Sequence, residues 1–219
     1  MPRQARLLLG HSYYHVMTRG NNKHIVFHDA ADYHHYLELL GRFKAEHPFE
    51  LYHYCLMPNH VHMLIQTDIA SGFATFMKKL NLSYAQAYAK RYGWVGHFWQ
   101  DRYKSQPVGK DSYFIQCGKY IELNPVRSGL TRNPADYPYS SYRAYTLGEP
   151  NLLLTPDLFY QGLGESPTQR AQNYQDLVIS DQIASSYQKP TWGALYQRKI
   201  EQQKRRYHLR IRQKKDYSE

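Results

Sequence analysis

The residues best suited to chemistry are few and closely spaced. His60 and His62 stand one apart in MPNHVHMLIQ (57–66), and Tyr120 and Asn124 stand four apart in GKYIELNPVRSGL (118–130). On a strand, side chains alternate, so His60, His62, Leu64 and Gln66 share one face while Val61, Met63 and Ile65 share the other. Two imidazoles at i and i+2 are near enough to bind one metal ion, although an H-x-H pair also arises by chance in a chain with 12 histidines. On a helix, Tyr120 and Asn124 project from one side, and Tyr113 and Cys117 extend that stripe toward the N-terminus. Asn124 offers a carbonyl oxygen to a hard cation, and Tyr120 an oxygen nucleophile for a polarised phosphate. Together these groups suggest phosphoryl transfer. The alternative is that Tyr120 packs in the core with its hydroxyl bonded, as most of the chain's 22 tyrosines would.

The elements that must position these groups are legible from hydrophobic periodicity. SYYHVMTR reads as a strand, DAADYHHYLELLGRFKAEH as an amphipathic helix with Asp29 as N-cap, and FELYHYCLM and HVHMLIQ as two strands joined at Pro58-Asn59. A second helix runs from Gly72 to Tyr92, with Phe73, Phe76, Met77, Leu80, Tyr84 and Tyr88 at helical spacing as candidate core. A short strand around YKSQPV precedes a helix from Asp111 to about Leu123, stopped by Pro125. The order β-α-β-β-α-β predicts an α+β domain of the ferredoxin-like, split βαβ kind, an antiparallel sheet with helices on one face. A Pro-, Gly- and Ser-containing stretch from Asn133 to Pro150 places a boundary near Pro150, giving a domain over 1–150 and an extension over 151–219.

Charge narrows the partners. With 28 Lys and Arg against 18 Asp and Glu, the formal charge is +10, which favours a polyanion, nucleic acid first. Residues 181–219 hold ten Lys or Arg and four acids, so this basic tail carries +6 of that total; it could wrap a phosphate backbone or simply raise solubility. Cys55 and Cys117 are the only cysteines, which excludes a disulfide framework and a cysteine-rich zinc site and points to the cytoplasm. No apolar run approaches a spanning helix or a signal-peptide core, so no membrane role is expected.

Read together, YHVMTRGNN, YCLMPNHVHMLI, HFWQDRYKS, YIELNPVRSGL and DYPYSSYRAY resemble the REP-associated tyrosine transposases, relatives of the single-tyrosine insertion-sequence transposases within the HUH endonuclease superfamily. These motifs cover residues 11–146; from Asn151 onward no motif matches. The resemblance implies that His60 and His62 are the metal pair, that Asn124 completes the site for a divalent ion (Mg or Mn), and that Tyr120 is the nucleophile. It implies cleavage of single-stranded or hairpin DNA through a 5′-phosphotyrosine, with rejoining by another 3′-hydroxyl and no small-molecule cofactor. One tyrosine per site implies successive use of that residue in a monomer, or two sites in a homodimer. Arg19, Asn21, Lys78, Lys79, Arg102 and Lys104 are candidate DNA contacts, and Tyr103 a candidate stacking platform. Asp101 departs from the glycine many members carry. The expected location is the cytoplasm, at the nucleoid. Two other classes share these features: a DNA- or RNA-binding regulator without turnover, and a metal-dependent nuclease using water.

Overall fold

The computed structural model describes residues 12–67, 69–109, 112–156 and 158–186. Four antiparallel strands form one sheet in the order β2-β3-β1-β4, with β1 Ser12–Arg19, β2 Glu50–Met57, β3 His60–Thr67 and β4 Lys104–Val108. Between them run α1 (Ala30–Glu46) and α2 (Ala70–Tyr92). Thus β1-α1-β2 and β3-α2-β4 are two split units, each with the other's strand inserted between its own. β4 is an edge strand and so tolerates Pro107, which has no N–H to give a neighbour.

Local chemistry explains the boundaries. The Asp29 carboxylate accepts from Asp32 N at 3.2 Å and caps α1. At the β2–β3 turn, Pro58 O accepts from Val26 N at 2.7 Å and from Phe27 N at 3.1 Å, while Gly20 N donates to Asn59 O at 2.9 Å. The hairpin that starts the His60-Val61-His62 run is therefore held at its tip by two other segments.

The predicted apolar faces fill one layer. Phe73, Phe76, Met77, Leu80, Tyr84 and Tyr88 of α2 pack with Tyr33, Tyr36, Leu40 and Phe43 of α1 against Val16, Leu56, Val61, Met63 and Ile65 of the sheet. The expectation of helices on one face only does not hold. α3 (Ser112–Glu122) lies on the opposite face, where Phe114 and Ile121 pack with Tyr52, Cys55, Met57 and Leu64. The reason lies in β2, which is buried at every position after Glu50; a strand apolar on both sides needs cover on both sides.

The rest of the chain closes the β2 edge. After α3 come α4 (Asn124–Arg127), a short 3-10 turn at Pro134–Asp136, α5 (Tyr142–Leu147), α6 (Leu158–Gly162) and α7 (Pro167–Ser186). Leu56 N donates to Tyr139 O, Ser141 N to Tyr54 O and Thr155 N to Leu51 O, at 2.8 to 3.0 Å, so the edge is occupied rather than open to another chain. The segment beyond Pro150, expected to stand apart, lies against the same body. Asn151 donates to the Tyr54 hydroxyl at 2.9 Å, Leu154 joins the helix-side core, and Tyr174 and Val178 of α7 are buried with Leu123, Tyr142 and Tyr145. The prolines and glycines of 133–150 mark turns within one packed unit. Residues 187–219, most of the basic tail, lie outside the described residues, as do the side chains of 181–186.

Candidate active site

The site forms on the α3 face of the sheet, near the Arg19 end of β1. Pairing of β1 with β3 sets Arg19 opposite His60 and Met17 opposite His62, and pairing of β1 with β4 sets His15 opposite Gln106. Alternation then brings His15, His60 and His62 onto one face. The His60 and His62 rings are 4.7 Å apart, the His15 and His62 rings 5.0 Å. Above them α3 presents Tyr120, whose ring lies 5.8 Å from His62 and 5.9 Å from His15, edge-on to both. Tyr120 is 42% exposed, and the Arg127 guanidinium sits 5.2 Å from its ring centroid. Between α3 and β4 a cleft of 330 Å³ is lined by His15, Gln106, Tyr113, Gln116, Cys117 and Tyr120.

The imidazoles keep ring nitrogens that could serve as metal ligands. His62 is 2% exposed, and its Nδ1 shares a 2.8 Å hydrogen bond with His15 Nε2. Its Nε2 is buried with no hydrogen-bond partner among the described residues. His60 Nδ1 lies 2.5 Å from Asn59 Oδ1; with the proton on His60, its Nε2 lone pair is likewise left uncommitted. Ligating histidines characteristically spend one ring nitrogen on such a partner and coordinate through the other. Burial, the Arg19 charge and the neighbouring His15 push His60 down to about 3. Burial and the same neighbours hold His62 well below the usual imidazole range, and burial lowers His15. All three are thus neutral at pH 7, the form that donates a lone pair. Among the described residues no set of three or more His, Cys, Asp or Glu side chains is gathered closely enough to hold a metal ion. The available donors are the imidazole pair and a neutral oxygen.

Asn124 is less free than its spacing suggests. α3 ends at Glu122 and Asn124 opens α4. Pro125 has no N–H for the Ile121 carbonyl, and the Asn124 amide takes that place: Nδ2 donates to Tyr120 O at 2.7 Å and to Ile121 O at 3.3 Å. The amide oxygen remains as the group that could reach a cation. Tyr113, the other tyrosine of the α3 stripe and so the alternative nucleophile, is 73% exposed at the rim of the cleft. Cys117 is no competitor, since burial pushes its thiol up to about 12.

The candidate DNA contacts divide. Arg19 lies beside His60, with Nε buried and without a partner among the described residues. Asn21 follows in a 3-10 turn (Asn21–Lys23) whose backbone bonds to Phe98 O. Lys104 is exposed on β4, on the same strand face as Gln106, and Arg102 is exposed just before it, its backbone N bonded to Asp101 Oδ1. The other three are elsewhere. Tyr103 is 6% exposed and packs against Phe73 in the helix-side core, so it offers no stacking platform. Lys78 and Lys79 are on α2, across the sheet from Tyr120, and Lys79 is paired with Glu46 at 2.7 Å. Sequence reasoning missed His15 and Arg127. His15 did carry a signal, since it alternates with Met17 and Arg19 along β1, but its meaning depends on which strand β1 pairs with.

Residues 9–124 match the profile of the IS200-like transposases. The chain belongs to that family. Among curated relatives, this chain is 28% identical over 110 residues to a Haemophilus influenzae protein named for the REP-associated tyrosine transposases, and 23% identical over 100 residues to the REP-associated tyrosine transposase of Escherichia coli K12. Each match takes in 45% of this chain, and 62% and 58% of the respective relatives, so the chain covers about three fifths of their lengths. A solved REP-associated tyrosine transposase bound to a REP hairpin superposes with a TM-score of 0.58 at 17% identity, over 72% of this chain and 93% of that one. The superposition establishes the shared α+β fold. The matched region includes β1, the His60–His62 strand, and Tyr120 through Asn124. No helix among the described residues is long and apolar enough to cross a membrane.

Proposed function

We propose that this transposase binds hairpin-forming single-stranded DNA in the cytoplasm, at the nucleoid, and cleaves and rejoins it through Tyr120. The observation that carries this reading is the placement of Tyr120 edge-on to two neutral imidazoles, one with a buried, unpartnered Nε2. His60 and His62 would hold a divalent ion, Mg or Mn, with the Asn124 amide oxygen as a third donor. Bound there, the ion would polarise the scissile phosphate as a Lewis acid. The chain's own residues do the rest. Tyr120 Oη attacks phosphorus, the phosphorus–O3′ bond breaks, and the phenolic proton is given up as the leaving oxygen becomes a 3′-hydroxyl. The 5′-phosphotyrosine keeps the bond energy for attack by another 3′-hydroxyl. Arg127 beside the phenol and Arg19 beside His60 would offer positive charge to the bound phosphate. A REP hairpin is what the structurally similar transposase binds, and the +10 charge of this chain suits such a polyanion.

The test is incubation with hairpin single-stranded DNA and Mn, followed by denaturing electrophoresis. A covalent protein–DNA adduct is expected, lost in Tyr120→Phe while hairpin binding persists, and retained in Tyr113→Phe. Nicked DNA without adduct would assign the site to water-based hydrolysis, and binding without cleavage would assign a regulator. Loss of the adduct in Tyr113→Phe but not in Tyr120→Phe would overturn the assignment of the nucleophile.

A further inference from the structure

Two residues beyond Tyr120, a carboxylate on α3 is shut away from solvent. Glu122 is 0% exposed, and a buried carboxylate is costly unless donors meet its oxygens. Three side chains do so. His53 Nδ1 lies 2.9 Å from Oε1, the Ser141 hydroxyl donates to the same oxygen at 2.6 Å, and the Tyr174 hydroxyl donates to Oε2 at 2.7 Å. They come from β2, from the residue preceding α5 and from α7. The register of β2 on β3 shifts between Leu51 and His53, and such a bulge re-aims the side chains around it. Gly118 makes room for the result. A Cβ there would stand 2.7 Å from His53 Nε2, closer than real contacts allow.

We propose that Glu122 is a positioning residue for Tyr120, and that α7, acting through Tyr174, belongs to the cleavage machinery. This rests on Tyr120 being the nucleophile. α3 meets the sheet through Phe114, Cys117 and Ile121, contacts that resist separation but hold rotation about the helix axis only loosely. Residues two apart on a helix point roughly 200° apart, so Glu122 is anchored on the side of α3 away from Tyr120. Any roll of the helix that moves one moves the other. Hydrogen bonds are directional where apolar contacts are not, and the three bonds to Glu122 fix the roll from behind. They thereby set the height and angle at which the Tyr120 ring meets His62 and His15. A displacement near 1 Å at a reacting atom costs on the order of 100-fold in rate.

Tyr174→Phe keeps the ring and removes only the hydroxyl. In single-turnover cleavage at saturating hairpin, adduct formation should slow by about tenfold or more, with hairpin affinity unchanged. A merely stabilising contact would lower the melting temperature and leave the rate at a permissive temperature intact. Gly118→Ala, which presses on His53 from within α3, should slow the same step. Tyr160→Phe removes a bond to the Tyr145 carbonyl in the same tyrosine cluster and should leave the rate unchanged. Wild-type rates in both Tyr174→Phe and Gly118→Ala would overturn the positioning role. An adduct that persists in Tyr120→Phe would overturn the nucleophile itself, and the positioning role with it.

Discussion

Replacing His15 with leucine tests how the proposed metal pair is prepared. A neutral imidazole carries one proton, and the ring nitrogen bearing it cannot coordinate. His62 Nδ1 is 2.8 Å from His15 Nε2. If His15 accepts, the proton sits on His62 Nδ1 and the buried Nε2 presents its lone pair. Leucine fills the space but offers no acceptor. The buried N–H is then unsatisfied, at a cost of about 1–3 kcal/mol, and outer-shell losses of this kind typically lower metal affinity about 10- to 100-fold, or about 1.4–2.7 kcal/mol. Titration with Mn followed by electron paramagnetic resonance, on protein free of DNA, reads this without relying on cleavage. His15→Gln, whose side-chain oxygen can accept from His62, should keep most of the affinity, and His62→Ala should lose it. If His15→Leu binds Mn as tightly as the parent while His62→Ala does not, His62 needs no acceptor at His15 to present its lone pair and the tautomer reasoning fails.

The fold makes its own predictions. The Tyr84 hydroxyl donates to Val26 O at 2.6 Å in the buried layer, so Tyr84→Phe should lower stability by about 1–2 kcal/mol, seen as a reduced urea midpoint at constant slope; an unchanged midpoint would contradict it. Burial lowers the pKa of His24 despite its hydrogen bond to Asn21 O. The unfolded chain therefore takes up the proton first, and stability should fall as pH drops below about 6.5. His24→Gln should make that fall shallower, and equal acid sensitivity in the two proteins would refute the assignment. Truncation after Ser186, past the end of α7, removes +7 of charge and should weaken hairpin binding and flatten its salt dependence, with adduct formation retained. An unchanged slope would leave the tail only a solubility role.

Much of this architecture was legible because periodicity reports burial. The 3.6-residue stripe of α2 and the alternation of Val61, Met63 and Ile65 each describe a face that must find cover, and each found it. The sequence also singled out Tyr120 and the His60–His62 pair, and the fold brings them together on one face of the sheet. What stayed hidden depends on relations between elements. Tyr103 reads as an exposed aromatic beside basic residues, yet it is buried against Phe73 of α2 in the helix-side core. Lys78 and Lys79 are basic, but which side of the sheet α2 covers decides what they can reach. Asn124 and Tyr120 have helical spacing, yet Pro125 removes a backbone donor, and the Asn124 amide is drawn to the carbonyls this leaves.

The two faces of the sheet carry different burdens, and this explains how the site can be so polar. The layer made by α1 and α2 is almost wholly apolar and contains most of the large buried side chains, so it supplies most of the hydrophobic stabilisation. The α3 face is smaller, and its apolar contacts cluster at Tyr52, Cys55, Met57 and Leu64. Beside them on β3 and β1 stand His15, His60 and His62, which are desolvated without being charged. Neutral imidazoles can be kept buried at modest cost so long as one nitrogen of each is bonded, as His15 and Asn59 provide. A carboxylate pair in the same place would demand a cation for the protein to stay folded. An imidazole pair would let the chain fold first and take the proposed cation afterwards, so removing divalent ions should abolish cleavage while leaving the melting temperature within a few degrees of its starting value.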